Sequence, residues 1–246
     1  RHDGCLWPRA TYLSPMTATR LMNRAVIRVS PQGEGEDVPA FLQGLLTNDV
    51  TKALPVYAGL LTPQGKAMFD MIVWPAAEGA LLLDCEADHA EELAKRLSLY
   101  RLRRKIDIKV DESVAVHWQD HPGDGGAPDP RLAALGQRWL APASNEDESA
   151  DDAYRAHRLS LGVPEGRGEL ADILWLETNA VELHGVAFDK GCYIGQENTA
   201  RMNWRSKVNR RLIVVPLNQS DEKRRKVGYD DLGLAVDHLR IADIRP

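Results

Sequence analysis

The stretch from Phe188 to Arg201 carries a thiol bracketed by two glycines and holds the most chemically unusual residues of the chain. Cys192 lies between Gly191 and Gly195, and because glycine tolerates positive φ and close backbone approach, a tight loop is predicted here. A helix is predicted to follow the loop. The ammonium of Lys190 and the N-terminus of that helix would each stabilise a thiolate, so Cys192 is a candidate reactive thiol.

Four interpretations of Cys192 stay open from the residues alone: a nucleophile, a redox-active thiol, one ligand of a metal or cluster completed elsewhere, or a small buried hydrophobe in a turn. A nucleophile usually needs a nearby base, and nothing marks His184, the nearest histidine in sequence, as its partner. A complete cluster needs several thiolates, whereas only Cys85 and Cys192 remain once Cys5 is set aside. The chain is therefore expected to share a cluster transiently, if it binds one at all.

The predicted helix after the loop carries further polar residues. Glu197 and Arg201 stand four residues apart, so they share one helix face and can pair or turn together toward a ligand. A basic run with one aromatic ring could line a groove for an anionic tail or a phosphate backbone. Its members are Arg201, Trp204, Arg205, Lys207, Arg210 and Arg211. A solvated face is the commoner outcome, and the acidic chain has no recognition helix, so nucleic-acid binding is not expected.

Two carboxylates occur where a core residue would be expected. Asp49 ends an apolar helical pattern and Asp70 interrupts an apolar strand, which makes both candidate ligand contacts. The alternatives are equally open: Asp49 can simply terminate its helix, and Asp70 can be the solvent-facing member of an alternating strand.

Bulk composition indicates a globular protein. The chain has 246 residues, 43% of them hydrophobic, and a net charge of -5. No apolar run approaches the roughly 20 residues of a membrane-spanning helix. Three scattered cysteines are too few for a disulfide framework, which favours a reducing compartment. Residues 1–15 precede Met16 and are interpreted as an expression-derived or disordered extension, with the end of a basic transit peptide as the alternative.

The hydrophobic patterns predict an α+β fold with helices packed on one face of a sheet. Strands are predicted at 24–30, 57–61, 67–74, 81–85, 106–110, 114–118, 211–217 and 239–244. Helices are predicted at 38–46, 89–100 and 153–161. The predicted organisation is an N-terminal α+β domain at 16–140, an interleaved middle segment at 141–206 that carries the thiol loop, and a β-rich segment at 207–246.

The run Lys190–Glu197, read KGCYIGQE and followed by Ala200 and Arg201, resembles the KGCYxGQE signature of the YgfZ-type folate-binding proteins and their mitochondrial relatives in iron-sulfur cluster assembly. The run Phe41–Val50, read FLQGLLTNDV, is similar to that family's N-terminal motif. Gly65 and Lys66 before the next strand also fit. The resemblance covers roughly residues 21–217.

This resemblance implies a fold like that of the glycine-cleavage T-protein, with two interleaved α+β domains around a folate-sized central channel and a small C-terminal β-barrel. The segment after Leu217 is short for that barrel, so either the barrel is trimmed or part of it lies outside this sequence. The implied ligand is a tetrahydrofolate, contacted by Asn48, Asp49 and Asp70. Asp70 is at the position that resembles an acidic residue assisting folate chemistry in the T-protein.

The implied function is that of a folate-binding accessory protein in iron-sulfur cluster assembly or repair, with assembly proteins and client enzymes, including tRNA-modifying ones, as partners. In that role Cys192 would be a redox group or a transient cluster ligand and Lys190 would tune its pKa. The remaining motif residues would shape the loop: Gly191, Tyr193, Gly195, Gln196, Glu197 and Arg201. The alternatives are a tetrahydrofolate-dependent aminomethyl or one-carbon transferase and a tRNA-binding factor. A bacterial cytoplasm is the expected location, with the mitochondrial matrix as the alternative.

Overall fold

The structure is a computed structural model that describes residues 18–123, 125–204 and 208–244. The predicted extension at 1–15, Cys5, and the basic residues Arg205 and Lys207 lie outside the described residues. Within the described ranges, no helix is both long and apolar enough to cross a membrane.

The largest element is a five-stranded antiparallel sheet in the order β2-β3-β4-β1-β5. Its strands are β1 Arg24–Pro31, β2 Val56–Leu61, β3 Ala67–Pro75, β4 Leu81–Glu86 and β5 Ile106–Val110. Two helices cover one face, α1 Val38–Gln43 and α2 Ala90–Arg101. Apolar side chains of both helices and of this face form one buried cluster. The predicted α+β arrangement with helices on one face is confirmed for this part of the chain.

The other face of the sheet is covered by the middle of the chain. A second sheet in the order β6-β8-β7 contains β6 Val114–Gln119, β7 Ala127–Pro128 and β8 Gln137–Pro142. Helices α3 Asp151–Ser160, α4 Arg167–Leu170 and α5 Gln196–Trp204 follow. A second buried cluster joins these elements to the first sheet. Because both faces are covered, strands β2, β3 and β4 are buried along nearly their whole length.

The C-terminal part is an open three-stranded antiparallel sheet in the order β10-β11-β9. Its strands are β9 Arg210–Pro216, β10 Arg225–Tyr229 and β11 Leu234–Arg240. The closed barrel implied by the family resemblance is not confirmed, because the three strands among the described residues leave two free edges. The last strand was predicted at 239–244, which is later than the observed β11. The start of β10 was predicted to be a charged turn.

Most other predicted elements are confirmed within a residue or two. The length of one helix and the exposure of one strand residue differ from the prediction. The helix predicted at 38–46 ends at Gln43, with Gly44 as its C-cap, and the chain continues through tight turns to Thr47. Asp70 is not solvent-facing: it is buried, since the second face of its strand packs against the middle of the chain. Alternation fails as a guide wherever both faces of a strand are covered.

Candidate functional site

The thiol loop is anchored at Lys190. Its buried ammonium donates hydrogen bonds to the carbonyl oxygens of Leu46, at 2.5 Å, and Asn48, at 2.9 Å, and lies 5.0 Å from the ring centroid of Tyr193. Burial lowers the pKa of Lys190 to about 8. These contacts hold the loop on the segment after α1. None of them is with Cys192, so the predicted tuning of the thiol by Lys190 gains no support from the described contacts.

Two neighbouring side chains fasten the loop to both hydrophobic clusters. Tyr193 is buried among the residues that join the first sheet to the middle of the chain, whereas Ile194 packs against the cluster beneath α1 and α2. Burial raises the pKa of Tyr193 to about 12, so the phenol is neutral at physiological pH. The loop therefore lies where the two cores meet.

Gly195 brings the loop against the turn between β2 and β3. It has a φ of 81°, and a Cβ built on it would lie 2.6 Å from the carbonyl oxygen of Thr62. Gly65, in that turn, also has positive φ, and the side-chain amide of Asn198 donates to the carbonyl of Gln64 at 2.8 Å. The predicted tight, glycine-dependent loop is confirmed, and its reason is the close approach of two backbones.

Cys192 is exposed and lies between these anchors. The interpretation of this residue as a small buried hydrophobe is therefore wrong. A Cβ on Gly191 would meet no atom within 4 Å, which shows that the chain just before the thiol is open to solvent. The predicted helix follows the loop as α5, which starts at Gln196. The other described thiol, Cys85, is buried, and burial raises its pKa to about 12.

Asn48 and Asp49 lie beside the thiol loop, where they organise the segment after α1. The side-chain amide of Asn48 donates to the carbonyls of Tyr57, at 2.8 Å, and His184, at 2.7 Å. Asp49 accepts hydrogen bonds from the hydroxyl and the backbone amide of Thr51 and from the side-chain amide of Gln43. These hydrogen bonds lower the pKa of Asp49 to about 2. Both residues thus have structural partners; their predicted contact with folate stays a prediction.

Asp70 lies in a different environment, inside the molecule. It accepts hydrogen bonds from the hydroxyl of Tyr57, at 3.4 Å, and from the backbone amide of Gly166, at 3.2 Å. It forms no ion pair in the part of the chain that the structure describes. Burial raises its pKa to about 6, against the attraction of nearby Arg24.

Next to Asp70 is a buried network of three arginines and three carboxylates that the sequence did not predict. The network consists of Arg24, Asp84, Asp129, Arg131, Arg138 and Glu165. Arg138 joins Asp84 at 3.0 Å and Asp129 at 2.9 Å. The charges balance within the network, which leaves Asp70 as an extra carboxylate. One signal was present in the sequence: Asp84 interrupts the apolar run of β4.

A polar cavity of about 270 Å³ borders this network. Glu165, Gly166, Arg155, Arg158 and Tyr229 contribute to its lining. The Nε of Arg155 is buried and has no hydrogen-bond partner among the described residues. Asp70 does not line the cavity, but it accepts a hydrogen bond from the amide of Gly166, which does. A continuous folate-sized channel, as implied by the family resemblance, is not confirmed.

The remaining predicted site residues lie on the solvent side of α5. Glu197 and Arg201 are both exposed and form no ion pair with each other within the described ranges, so the predicted pair is absent. Trp204 is 75% exposed, and its ring lies edge-on to Phe188 at 6.4 Å between centroids. No cluster of three or more metal-ligating side chains occurs among the residues that the structure describes.

Comparison with known proteins identifies relatives along most of the chain. A mitochondrial homolog of iron-sulfur cluster assembly factor IBA57 from Neurospora crassa is 33% identical over 233 aligned positions, covering 79% of this chain and 52% of the relative. The mitochondrial IBA57 of Mus musculus is 33% identical, with 87% and 68% covered, and that of Homo sapiens is 34% identical, with 80% and 65% covered. The chain thus spans about half to two thirds of the length of these relatives. No protein-family model matches it.

Among solved structures, the glycine cleavage system aminomethyltransferase T from Bartonella henselae is similar in fold. The TM-score is 0.67 at 15% sequence identity, and the match covers 92% of this chain and 80% of the aminomethyltransferase. This likeness confirms the predicted T-protein-like fold. At such low identity the likeness concerns the fold alone.

Proposed function

The chain belongs to the family of IBA57 iron-sulfur cluster assembly factors, and from this we propose that it acts in iron-sulfur cluster assembly through the thiol of Cys192. The observation that carries the proposal is the exposure of that thiol on a rigidly anchored loop. Thiolate sulfur is the ligand that iron-sulfur clusters require, and coordination to iron displaces the thiol proton.

One thiol supplies one of the several ligands that a cluster needs. The cluster is therefore cargo, held between Cys192 and ligands of another protein and then released. Lys190, Tyr193 and Gly195 act as positioning residues, since each fixes the loop without touching the thiol. A loop held in this way presents Cys192 in one geometry while leaving its sulfur accessible.

Complementation tests this role. In cells that lack their own assembly factor, the wild-type chain should restore the activity of [4Fe–4S] enzymes, whereas Cys192→Ser should not. Cys85→Ser, which changes the buried thiol, is the matched control and should complement. Full restoration by Cys192→Ser would refute the proposal, provided that immunoblots show equal amounts of each protein.

Folate binding is a separate proposal, supported by the polar cavity beside Asp70. Its volume is close to the lower end of small-molecule sites and suits the ring end of a folate. Arg155, with its unpartnered Nε, and Tyr229 would hold that ring. A bound tetrahydrofolate would supply one-carbon carrier chemistry.

Titration of the purified chain with 5-formyltetrahydrofolate tests this site. Calorimetry should show saturable binding that Arg155→Ala weakens at least tenfold, because the mutation removes a donor from the cavity. Arg211→Ala, on β9, is the control and should leave the affinity unchanged. Absence of saturable binding by the wild-type chain would reject a folate site.

A mitochondrial location is proposed in place of the bacterial cytoplasm, because the named relatives are mitochondrial proteins. The full-length gene product, tagged at its C-terminus, should colocalise with a matrix marker, and a diffuse cytosolic signal would argue against it. Client enzymes, among them the tRNA-modifying ones, stay a prediction.

A further inference from the structure

We infer that the surface at the C-terminal end of α2, beside the thiol loop, docks the protein that supplies the remaining cluster ligands, and that it receives an apolar, acidic segment of that protein. This inference rests on the proposed function. It goes further by naming the surface of this chain that a partner occupies and the chemistry that the partner presents there.

The surface at the C-terminal end of α2 is continuous with the thiol loop. An open groove of about 600 Å³ begins at Tyr193, the residue after the thiol, and extends to Tyr100 in the last turn of α2. Pro63, Gln196 and Ala200 also line it. A protein that contributes ligands to a cluster on Cys192 must cover the surface around the sulfur, and this groove is the concave part of that surface.

Exposed apolar side chains flank Tyr100, which lines the groove. Leu99 is 61% exposed and Leu102 is 86% exposed, one on each side of Tyr100 in sequence. Leu102 caps the helix with a φ of 52°, a conformation that glycine adopts more readily than leucine. A leucine in this conformation carries backbone strain, and the described residues leave its side chain exposed. Both features fit a side chain that a partner covers.

The end of α2 also carries positive charge. Arg101 is the last residue of α2 and Arg103 follows it closely, and neither forms an ion pair in the described ranges of the chain. Glu197 is the carboxylate that lines the groove. This concentration of positive charge contrasts with the net charge of -5 of the whole chain. Charge complementarity therefore favours a partner segment that combines apolar anchors with Asp or Glu.

The first experiment uses complementation of cells that lack the assembly factor. Leu99→Glu/Leu102→Glu and Arg103→Glu should each lower the recovered [4Fe–4S] enzyme activity at least fivefold. Val181→Glu changes another exposed apolar side chain, 41% exposed, and should have no effect. The variants should keep the wild-type thermal unfolding midpoint and the labelling rate of Cys192, which separates a docking defect from misfolding.

The second experiment identifies the occupant. The photo-crosslinking residue p-benzoylphenylalanine replaces Leu102 in the full chain, or Val181 as the control, and crosslinked peptides are sequenced by mass spectrometry. The expected adduct joins position 102 to a segment with leucine-type and acidic residues, and Arg103→Glu should reduce its yield at least fivefold.

Three outcomes would overturn the inference: full complementation by the α2 variants, the same adducts at both crosslinking positions, or adducts with a second copy of this chain. Cys192→Ser is run in parallel. If it abolishes complementation while the α2 variants complement fully, the proposed function stands and only the docking surface is wrong. If Cys192→Ser also complements, the proposed function itself fails.

Discussion

The thiol loop and the buried charge network both carry polar side chains of potential function, yet the fold holds them in opposite ways. Cys192 is exposed, and its neighbours hold the loop through backbone carbonyls, an aromatic ring and glycine contacts. Asp70 is buried without an ion pair among the described residues, next to a network in which Arg24 pairs with Glu165. A side chain can thus be held exposed by anchoring its neighbours, whereas burial raises the pKa of a carboxyl group that has no paired cation.

Substitutions in the two regions should therefore have different effects on stability and on local structure. Buried ion pairs are costly to break because the remaining partner is left charged and desolvated. The position of the thiol loop depends on the close packing of its backbone against the turn between β2 and β3. A larger side chain at that contact should displace the loop while leaving the rest of the fold intact. Four predictions test this contrast.

The largest effect is expected in the charge network. Arg138→Met should lower the free energy of unfolding by about 3–5 kcal/mol, because Asp84, Asp129 and Glu165 would lose a shared buried cation. Urea denaturation measures the change. Lys109→Met removes an exposed ion pair with Asp107 and should cost less than about 1 kcal/mol. Similar costs for both variants would show that the network is not the stabilising feature inferred here.

The next effect concerns the loop. Gly195→Ala should destabilise the chain by about 2 kcal/mol, since it combines positive φ with a Cβ placed against the carbonyl of Thr62. The labelling rate of Cys192 should change as well, because the loop must move. Gly191→Ala is the matched control: it meets no neighbour and should change stability by less than about 0.5 kcal/mol. An unchanged labelling rate in Gly195→Ala would contradict the role assigned to the glycine contact.

A smaller effect is expected from the pH dependence of Asp70. Its folded pKa of about 6 lies above the usual value of about 3.9, so the folded state binds the extra proton in that window and stability falls as pH rises through it. Between pH 5 and 7.5 this amounts to about 1 kcal/mol. Asp70→Asn should remove that pH dependence. The measurement is the difference in the free energy of unfolding between the wild type and the variant at each pH. An identical pH profile for the variant would mean that Asp70 titrates normally.

The smallest effect is expected at the thiol itself. In a Cys5→Ser background, Cys192→Ser should change the free energy of unfolding by less than about 0.5 kcal/mol, because the side chain is exposed. Cys85→Ser should cost about 1–3 kcal/mol, since it buries a hydroxyl among apolar groups. Reaction with Ellman's reagent should be fast at Cys192 and at least a hundredfold slower at Cys85. Equal rates would contradict the burial difference on which the contrast depends.

Local features were predictable because they depend on neighbours in sequence. Glycines at 191 and 195 around a single cysteine predicted a loop before a helix. Apolar runs predicted seven of the eleven strands in the described residues, β1 to β6 and β9, whereas β7, β8 and β10 were not predicted. Predictions failed where distant segments decide the outcome. Asp70 alternates like a surface residue, yet Gly166 and α4 pack against its strand. The last strand is placed by pairing with β9, not by its own residues.

The sequence by itself determined the family signature and the local conformation of the glycine-bounded loop around Cys192, because residue type and spacing set backbone preference. Only the tertiary structure decided what surrounds that loop. Lys190 reaches carbonyls 142 and 144 residues away in sequence, and Arg24 meets Glu165 across the interior. Hydrogen bonds and ion pairs of this kind produce no periodic pattern in the sequence, since they depend on how separate segments pack around shared cores.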